Sequence, residues 1–231
     1  MQRIIMSSKS QIKKNAYFAL EQVNKIFPEA QTDLKNWSTS FQFLVCIILS
    51  AQATDKQVNK VTQKLFEIVP DPKAFIEFTG GSTENTKDVA SIINSLNYYN
   101  SKARNIVKMA YDVFYRFGGE VPRELTDLVS LAGVGYKTAN VFLSHLYKEN
   151  QGIAVDTHVS RVSKRLGFAD EKDTPIIISH KLEDIFSKQD WHKISGRFVL
   201  FGRYICKAKK PECKNCPINT ICSYYKNNTN L

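Results

Sequence analysis

The sequence has no long apolar run. Its most apolar stretch, Phe41 to Leu49, falls far short of the roughly 20 residues a helix needs to cross a bilayer. Met1 to Ser10 holds a few apolar residues but no sustained apolar core of a secretory signal. Strand signals are sparse, and most of the chain reads as helices of moderate length with short connections, so the class is all-α. Acidic residues are in deficit: 22 Asp and Glu stand against 32 Lys and Arg, a net charge of +10. Such an excess suggests a polyanion partner, most simply nucleic acid. Cysteine is scarce outside one place, since four of the five fall in the C-terminal tail. What is there suffices for a core. The 231 residues are 43% apolar, enough for one large domain or two small ones.

The helices can be placed by period and punctuation. Gln11 to Phe27 puts Ala16, Leu20, Val23 and Phe27 on one face, with Pro28 as the stop. Ser38-Thr39-Ser40 offers caps for Phe41 to Leu49, apolar on nearly every side and hence a central buried helix, with Cys46 as a core residue. Thr54 or Asp55 caps the next helix, whose face carries Val58, Val61, Leu65 and Ile68, and Pro70-Asp71-Pro72 breaks it. Lys73 to Asn85 is less regular. Asn100 or Ser101 is the expected cap for a helix bearing Ala103, Ile106, Val107, Ala110, Val113 and Phe117. Thr174-Pro175 starts another helix, and Trp191 to Tyr204 packs through Ile194, Phe198 and Phe201.

The chain is organised around Leu131-Ala132-Gly133-Val134-Gly135-Tyr136-Lys137-Thr138-Ala139. Leu125, Leu128, Val129 and Leu131 precede it at helical period, and Ala139, Phe142, Leu143 and Leu146 follow. Two helices therefore meet at Gly133 and Gly135, where glycine permits positive φ and lets another backbone come close. The second helix opens with free N–H groups and the positive end of its dipole, a phosphate seat. Lys137 lies in that first turn, where the dipole disfavours a cation. The dipole, any nearby cation and burial all favour its free amine, which is a nucleophile.

Other residues add chemistry. Gln52 has donor and acceptor groups and can read a base edge or fill a gap in an opened duplex. Tyr98 and Tyr99, just before a helix, can stack on bases or pack the loop down. Asp156 ends an apolar run and starts a helix, ordinarily as its cap, and a capping carboxylate can also stabilise a developing cation. His145 and His158 read as structural. Cys206, Cys213, Cys216 and Cys222 form a C-x6-C-x2-C-x5-C pattern. Two disulfides are possible, but the close Cys-x-x-Cys pair and the lack of a secretory signal favour metal. Four thiolates suit zinc or an iron–sulfur cluster. The spacing is not two regular knuckles, which ranks the cluster first. Lys207, Lys209 and Lys210 between the first two ligands would project a basic loop toward a phosphate backbone.

Together these motifs resemble the endonuclease III family of helix-hairpin-helix DNA glycosylases, from about Phe41 to Cys222. The resemblance rests on Leu49 to Asp55, Tyr99 to Ala103, Gly133 to Asn140, Val155 to His158 and the four cysteines. It implies two helical domains: a six-helix barrel at about residues 34–149, and a [4Fe-4S] cluster domain combining 1–33 with 150–231. It places the catalytic lysine on Lys137, the catalytic aspartate on Asp156 and the gap-filling glutamine on Gln52, with the hairpin on one strand's phosphates. It implies double-stranded DNA carrying damaged pyrimidines or abasic sites as partner, and a monomer. The lack of a targeting signal or a membrane-length run, with the reduced-thiol logic of the cysteines, points to no membrane and a bacterial-type cytoplasm. The expected activity is bifunctional, glycosylase and abasic-site lyase, acting on a base flipped out of the stack. Two residues depart from the family pattern: Tyr98 stands where a Leu wedge is common, and Ala132 where Pro is common. The adenine-glycosylase branch is a rival, but it lacks the lysine, and Phe41 to Gln52 offers no carboxylate to protonate a purine. A non-catalytic DNA-binding iron–sulfur protein would explain the charge, hairpin and cysteines, but not Lys137 and Asp156 both matching.

Overall fold

A computed structural model describes residues 9–28, 33–149 and 151–228. Among these the regular structure is entirely helical: α1 (Lys9–Ile26), α2 (Ser40–Ser50), α3 (Asp55–Ile68), α4 (Pro72–Phe78), α5 (Lys87–Ile92), α6 (Tyr99–Phe117), α7 (Leu125–Ser130), α8 (Tyr136–Tyr147), α9 (Thr157–Leu166), α10 (Pro175–Ile185), α11 (Trp191–Tyr204) and α12 (Ser223–Asn227), with short 3-10 turns in the last third. The chain forms two compact units, one of residues 32–147 and one of 1–31 with 148–231. No described helix is long and apolar enough to cross a membrane.

The first unit is built around α2. Every residue from Phe41 to Leu49 is buried, as a helix apolar all round requires. Thr39 caps it, accepting from Gln42 N. Gln42 is the polar exception and is satisfied: its carbonyl accepts from Ser38 N and Oγ at 2.8 and 3.0 Å, and its amide donates to Pro70 O at 3.0 Å. Phe43 packs on Phe142, Trp37 and His145. Burial lowers the His145 pKa, which suits a neutral core ring. Cys46 is buried and its thiol is pushed up to about 12 by desolvation, so it is inert.

Several local expectations are corrected. Thr54, not Asp55, caps α3, in a capping box with Gln57. Ile68 is 48% exposed, and Val69 takes the buried place. The stretch after Pro70 is more regular than its composition suggests, because Asp71 caps α4 and Pro72 occupies its first turn. Neither Asn100 nor Ser101 caps α6; Tyr98 does so in a left-handed conformation without a side-chain bond.

The second unit joins the two ends of the chain. Ala16, Ala19, Leu20 and Val23 of α1 pack with Val159, Val162 and Leu166 of α9, Ile178 and Leu182 of α10, and Ile194, Phe198 and Phe201 of α11. Tyr17 of α1 hydrogen-bonds Ser187, whose hydroxyl donates to Asp190 at 2.8 Å.

Candidate active site and cysteine cluster

In the first unit α7 and α8 are joined by a turn. Leu131 N donates to Leu128 O and Val134 N to Leu131 O, both at 3.1 Å, and Leu131 and Val134 are anchored in the core. The two glycines have different jobs. Gly133 has φ +79°, and a Cβ there would lie 2.9 Å from Asn105 Cβ on α6. Gly135 does not have positive φ, and a Cβ there would meet no atom within 4 Å. The expectation that both serve backbone conformation holds for Gly133 alone. The free space over Gly135 is open to something outside the chain. Lys137, in the first turn of α8, is exposed, so the burial expected to favour its free amine is absent. Ala139, Phe142 and Leu143 hold α8 in the core, as the period predicts. Asn140 is buried too, donating to Tyr136 O at 3.0 Å while its Oδ1 has no partner among the described residues.

Gln52 and Tyr98 lie on separate connections of the same unit, and both are left-handed non-glycine residues, with φ 53° and 57°. Each such conformation costs about 1–2 kcal/mol. Gln52 is exposed and Tyr98 is 66% exposed, while Tyr99 is 36% exposed. Asn97, which the sequence pattern does not single out, donates from Nδ2 to Gln52 O at 3.1 Å and ties the two segments together. Lys102, four residues after Tyr98, is only 5% exposed, and its Nζ has no hydrogen-bond partner among the described residues. Burial lowers its pKa.

In the second unit Asp156 caps α9. Its Oδ1 accepts from His158 N at 2.8 Å and Val159 N at 2.9 Å. The carboxylate is half-buried, and the helix it caps points an N-terminus at it. One side of α9 then carries residues that the motifs do not mark. Arg161 donates to Cys206 O at 3.0 Å and Gly202 O at 2.7 Å, and lies 3.1 Å from His158 Nδ1. Arg165, one turn on, donates to Cys206 Sγ at 3.3 Å, Lys207 O at 2.8 Å and Ala208 O at 3.2 Å, and stacks on Tyr224. The i, i+4 spacing of two arginines after the aspartate was the available signal. Gly202 of α11 allows the close approach: a Cβ there would lie 2.9 Å from His158 Cβ. His158 is thus packed and bonded, a structural residue as expected.

Cys206, Cys213, Cys216 and Cys222 are free thiols that all line one pocket, beside Val162, Leu166, Phe201, Ile205 and Ile218. Among the described residues no three His, Cys, Asp or Glu groups converge closely enough to hold an ion. Desolvation raises the thiols of Cys213 and Cys222, and that of Cys216 to about 11. Cys222 Sγ donates to Arg165 O at 3.3 Å. Lys207, Lys209 and Lys210 are exposed, and Lys210 is left-handed at φ 49°. Lys207 approaches Glu212 at 3.9 Å.

The chain matches the HhH-GPD superfamily of base excision DNA repair proteins over residues 45–188. It is 39% identical over 209 residues to endonuclease III of Bacillus subtilis (strain 168), covering 90% of this chain and 92% of that one. The chain belongs to the endonuclease III family. Endonuclease III of Rickettsia prowazekii (strain Madrid E) is 40% identical over 212 residues, 89% of this chain and 96% of that one. Among solved structures, a trapped endonuclease III–DNA covalent intermediate in an estranged-adenine complex has a TM-score of 0.83 at 39% identity, covering 94% of this chain and 98% of that one. A non-covalent endonuclease III–DNA complex has the same TM-score and identity, with 95% and 99% covered. A thermostable thymine-DNA glycosylase, at 19% identity and TM-score 0.77, shares the fold.

Proposed function

We infer that this protein is a DNA glycosylase and abasic-site lyase of base excision repair, acting on oxidised pyrimidines in double-stranded DNA through Lys137 and Asp156. The observation that carries the assignment is an exposed lysine in the first turn of α8, directly after the Gly133 turn, in a chain similar along 94% of its length to a protein trapped covalently on DNA. Lys102 is the rival amine, since burial favours its neutral form. Access favours Lys137 over it: the Lys102 nitrogen is buried, whereas the Lys137 side chain is exposed.

In this mechanism the Lys137 amine attacks C1′ as the bond from C1′ to the damaged base breaks, and the base leaves with a proton. Opening of the sugar ring gives a Schiff base. Its positive nitrogen acidifies a 2′ hydrogen; removing that proton expels the 3′ phosphate oxygen and cuts the strand. Asp156, on backbone N–H donors, stabilises the cationic sugar and moves the protons. Gly135 leaves room for a phosphate backbone at the start of α8. Lys207, Lys209 and Lys210 add non-specific phosphate contacts.

The donor set fits a [4Fe-4S] cluster held by Cys206, Cys213, Cys216 and Cys222. All four cysteines line one apolar pocket, a setting in which a thiolate could hold each corner of such a cage. The group would hold the basic loop and is a structural element in this reading. The protein acts as a monomer in a bacterial-type cytoplasm, where DNA and reduced thiols coexist.

The test is borohydride trapping on a duplex with one thymine glycol or one abasic site. An adduct that disappears in Lys137→Ala but persists in Lys148→Ala and Lys102→Met supports the assignment. Base release without an adduct would make the protein monofunctional. Tight binding with neither would leave a docking protein. Iron and sulfide analysis of purified protein should find about four of each per chain.

A further inference from the structure

We propose that Glu183 and Ser179 of α10 are positioning residues for Asp156, holding the segment that leads into α9 so that the carboxylate stands at a fixed place. This rests on the reading above that Asp156 acts on the cationic sugar. The segment before Asp156, Gly152 to Val155, is buried throughout. Ile153 to Val155 form no helix or strand, so their backbone groups have no regular ladder to pair with. Two side chains one turn apart on α10 supply partners at Ile153. Ile153 N donates to Glu183 Oε1 at 3.0 Å. Ser179 Oγ shares its proton between Ile153 O and Glu183 Oε1, both at 2.6 Å. One helix thus holds both backbone groups of one residue. Ile178 and Leu182, beside them on α10, lie in the core that also takes Val159 and Val162 of α9. The same element therefore sets the place of α9 and of the chain entering it.

Stability is weak ground for a carboxylate here. The Glu183 side chain is only 14% exposed, and the solvation lost by a buried charge offsets much of what its bonds return. Burial opposes the charge, yet Ser179, the Ile153 N–H and His180 hold the Glu183 pKa below the usual carboxylate value. It is therefore an anion at neutral pH, and its other oxygen lies 3.1 Å from His180 Nδ1. Hydrogen bonds to an ionised acceptor are shorter and stronger than neutral ones, so the gain is a defined position. The hold lies three residues before Asp156, a reach of at most about 10 Å. Beyond it, Asp156 is fixed by its own bonds to His158 N and Val159 N. A carboxylate that stabilises a cation works only at a set distance, and a misplacement of about 1 Å can cost on the order of 100-fold in rate.

The experiment measures two quantities on the full-length protein, well below its melting temperature. One is the single-turnover rate of base release from a duplex with one thymine glycol, with enzyme in excess. The other is affinity for the same duplex carrying a tetrahydrofuran abasic analogue. Glu183→Ala should slow base release about 10- to 100-fold while affinity stays within about 2-fold of wild type. Glu183→Gln keeps an oxygen for the Ile153 N–H and should recover the rate to within about 5-fold of wild type. Ser179→Ala should slow release about 3- to 10-fold, and it keeps the test open if Glu183→Ala fails to fold. The double variant should be little slower than Glu183→Ala alone, because both side chains hold the same residue. A Glu183→Ala rate within 2-fold of wild type overturns the proposal. So does an affinity loss as large as the rate loss, or a Glu183→Gln variant as slow as Glu183→Ala. Asp156→Asn, measured alongside, separates the two levels. If it is slow while the α10 variants are fast, this inference alone fails. If it releases base at the wild-type rate, the role given to Asp156 fails beneath it.

Discussion

The starts of α8 and α9 make opposite use of the same local field. Each helix opens at the positive end of its own dipole. At α9 the side chain placed there is Asp156, of the right sign, and it takes two of the N–H bonds. At α8 it is Lys137, of the wrong sign and exposed. The first residue stabilises its helix whatever else it does. The second contributes nothing visible to the fold, so its presence calls for a chemical reason. A residue that serves structure and chemistry at once hides its function; one that serves chemistry alone exposes it.

Substitutions at both positions can break that contrast. Lys137→Ala should lower lyase activity on the order of 1,000-fold or more, leaving stability within about 0.5 kcal/mol of wild type. Asp156→Asn should retain the cap, because asparagine caps about as well as aspartate, yet lose about 100- to 10,000-fold in activity. Asp156→Ala should lose the activity and also about 1 kcal/mol of stability. Turnover and urea unfolding on the same three variants decide it. A large stability loss in Lys137→Ala, or full activity in Asp156→Asn, would erase the distinction.

The glycines at the α8 turn divide in the same way. Gly133→Ala forces a methyl into a left-handed backbone and against Asn105, and should cost about 2 kcal/mol or more. Gly135→Ala meets nothing within the chain and should leave the melting curve nearly unchanged. If the start of α8 seats a phosphate backbone, Gly135→Ala should instead weaken DNA binding and flatten its salt dependence. Unchanged affinity in Gly135→Ala would remove the hairpin from the DNA contact.

Much of this was legible in the sequence because periodicity and punctuation are local. The all-helical class, the buried Phe41–Leu49 helix, the α8 core face and the Asp156 cap all follow from spacing within one or two turns. Two other kinds of feature were hidden. One is backbone conformation: nothing in the letters puts Tyr98 and Gln52 at positive φ, or gives Gly133 and Gly135 different duties. The other is long-range pairing. Asn97 meets Gln52 across 45 positions and Arg161 meets Cys206 across the same separation, and neither contact leaves a local pattern. The motif marked Cys206 and Asp156, while the arginines of α9 that bond the backbone of the cysteine loop passed unmarked.

The smallest effect tests how far the α8 turn is optimised for structure at all. Ala132 stands where the family resemblance leads one to expect proline. Leu131, just before it, already has φ −76° and ψ 141°, the extended conformation that a following proline demands. Ala132→Pro should therefore enter without strain and stabilise the protein by about 0.4–1 kcal/mol, chiefly by restricting the unfolded chain. For a chain of this size that is a rise of roughly 1–4 °C in melting temperature. Lyase activity should not change, because neither the Gly133 conformation nor the Lys137 position depends on that ring. A rise in Tm with unchanged turnover would show that the turn carries its chemistry independently of its stability. A fall in either would mean that Ala132 donates, or bends, in a way the chemistry requires.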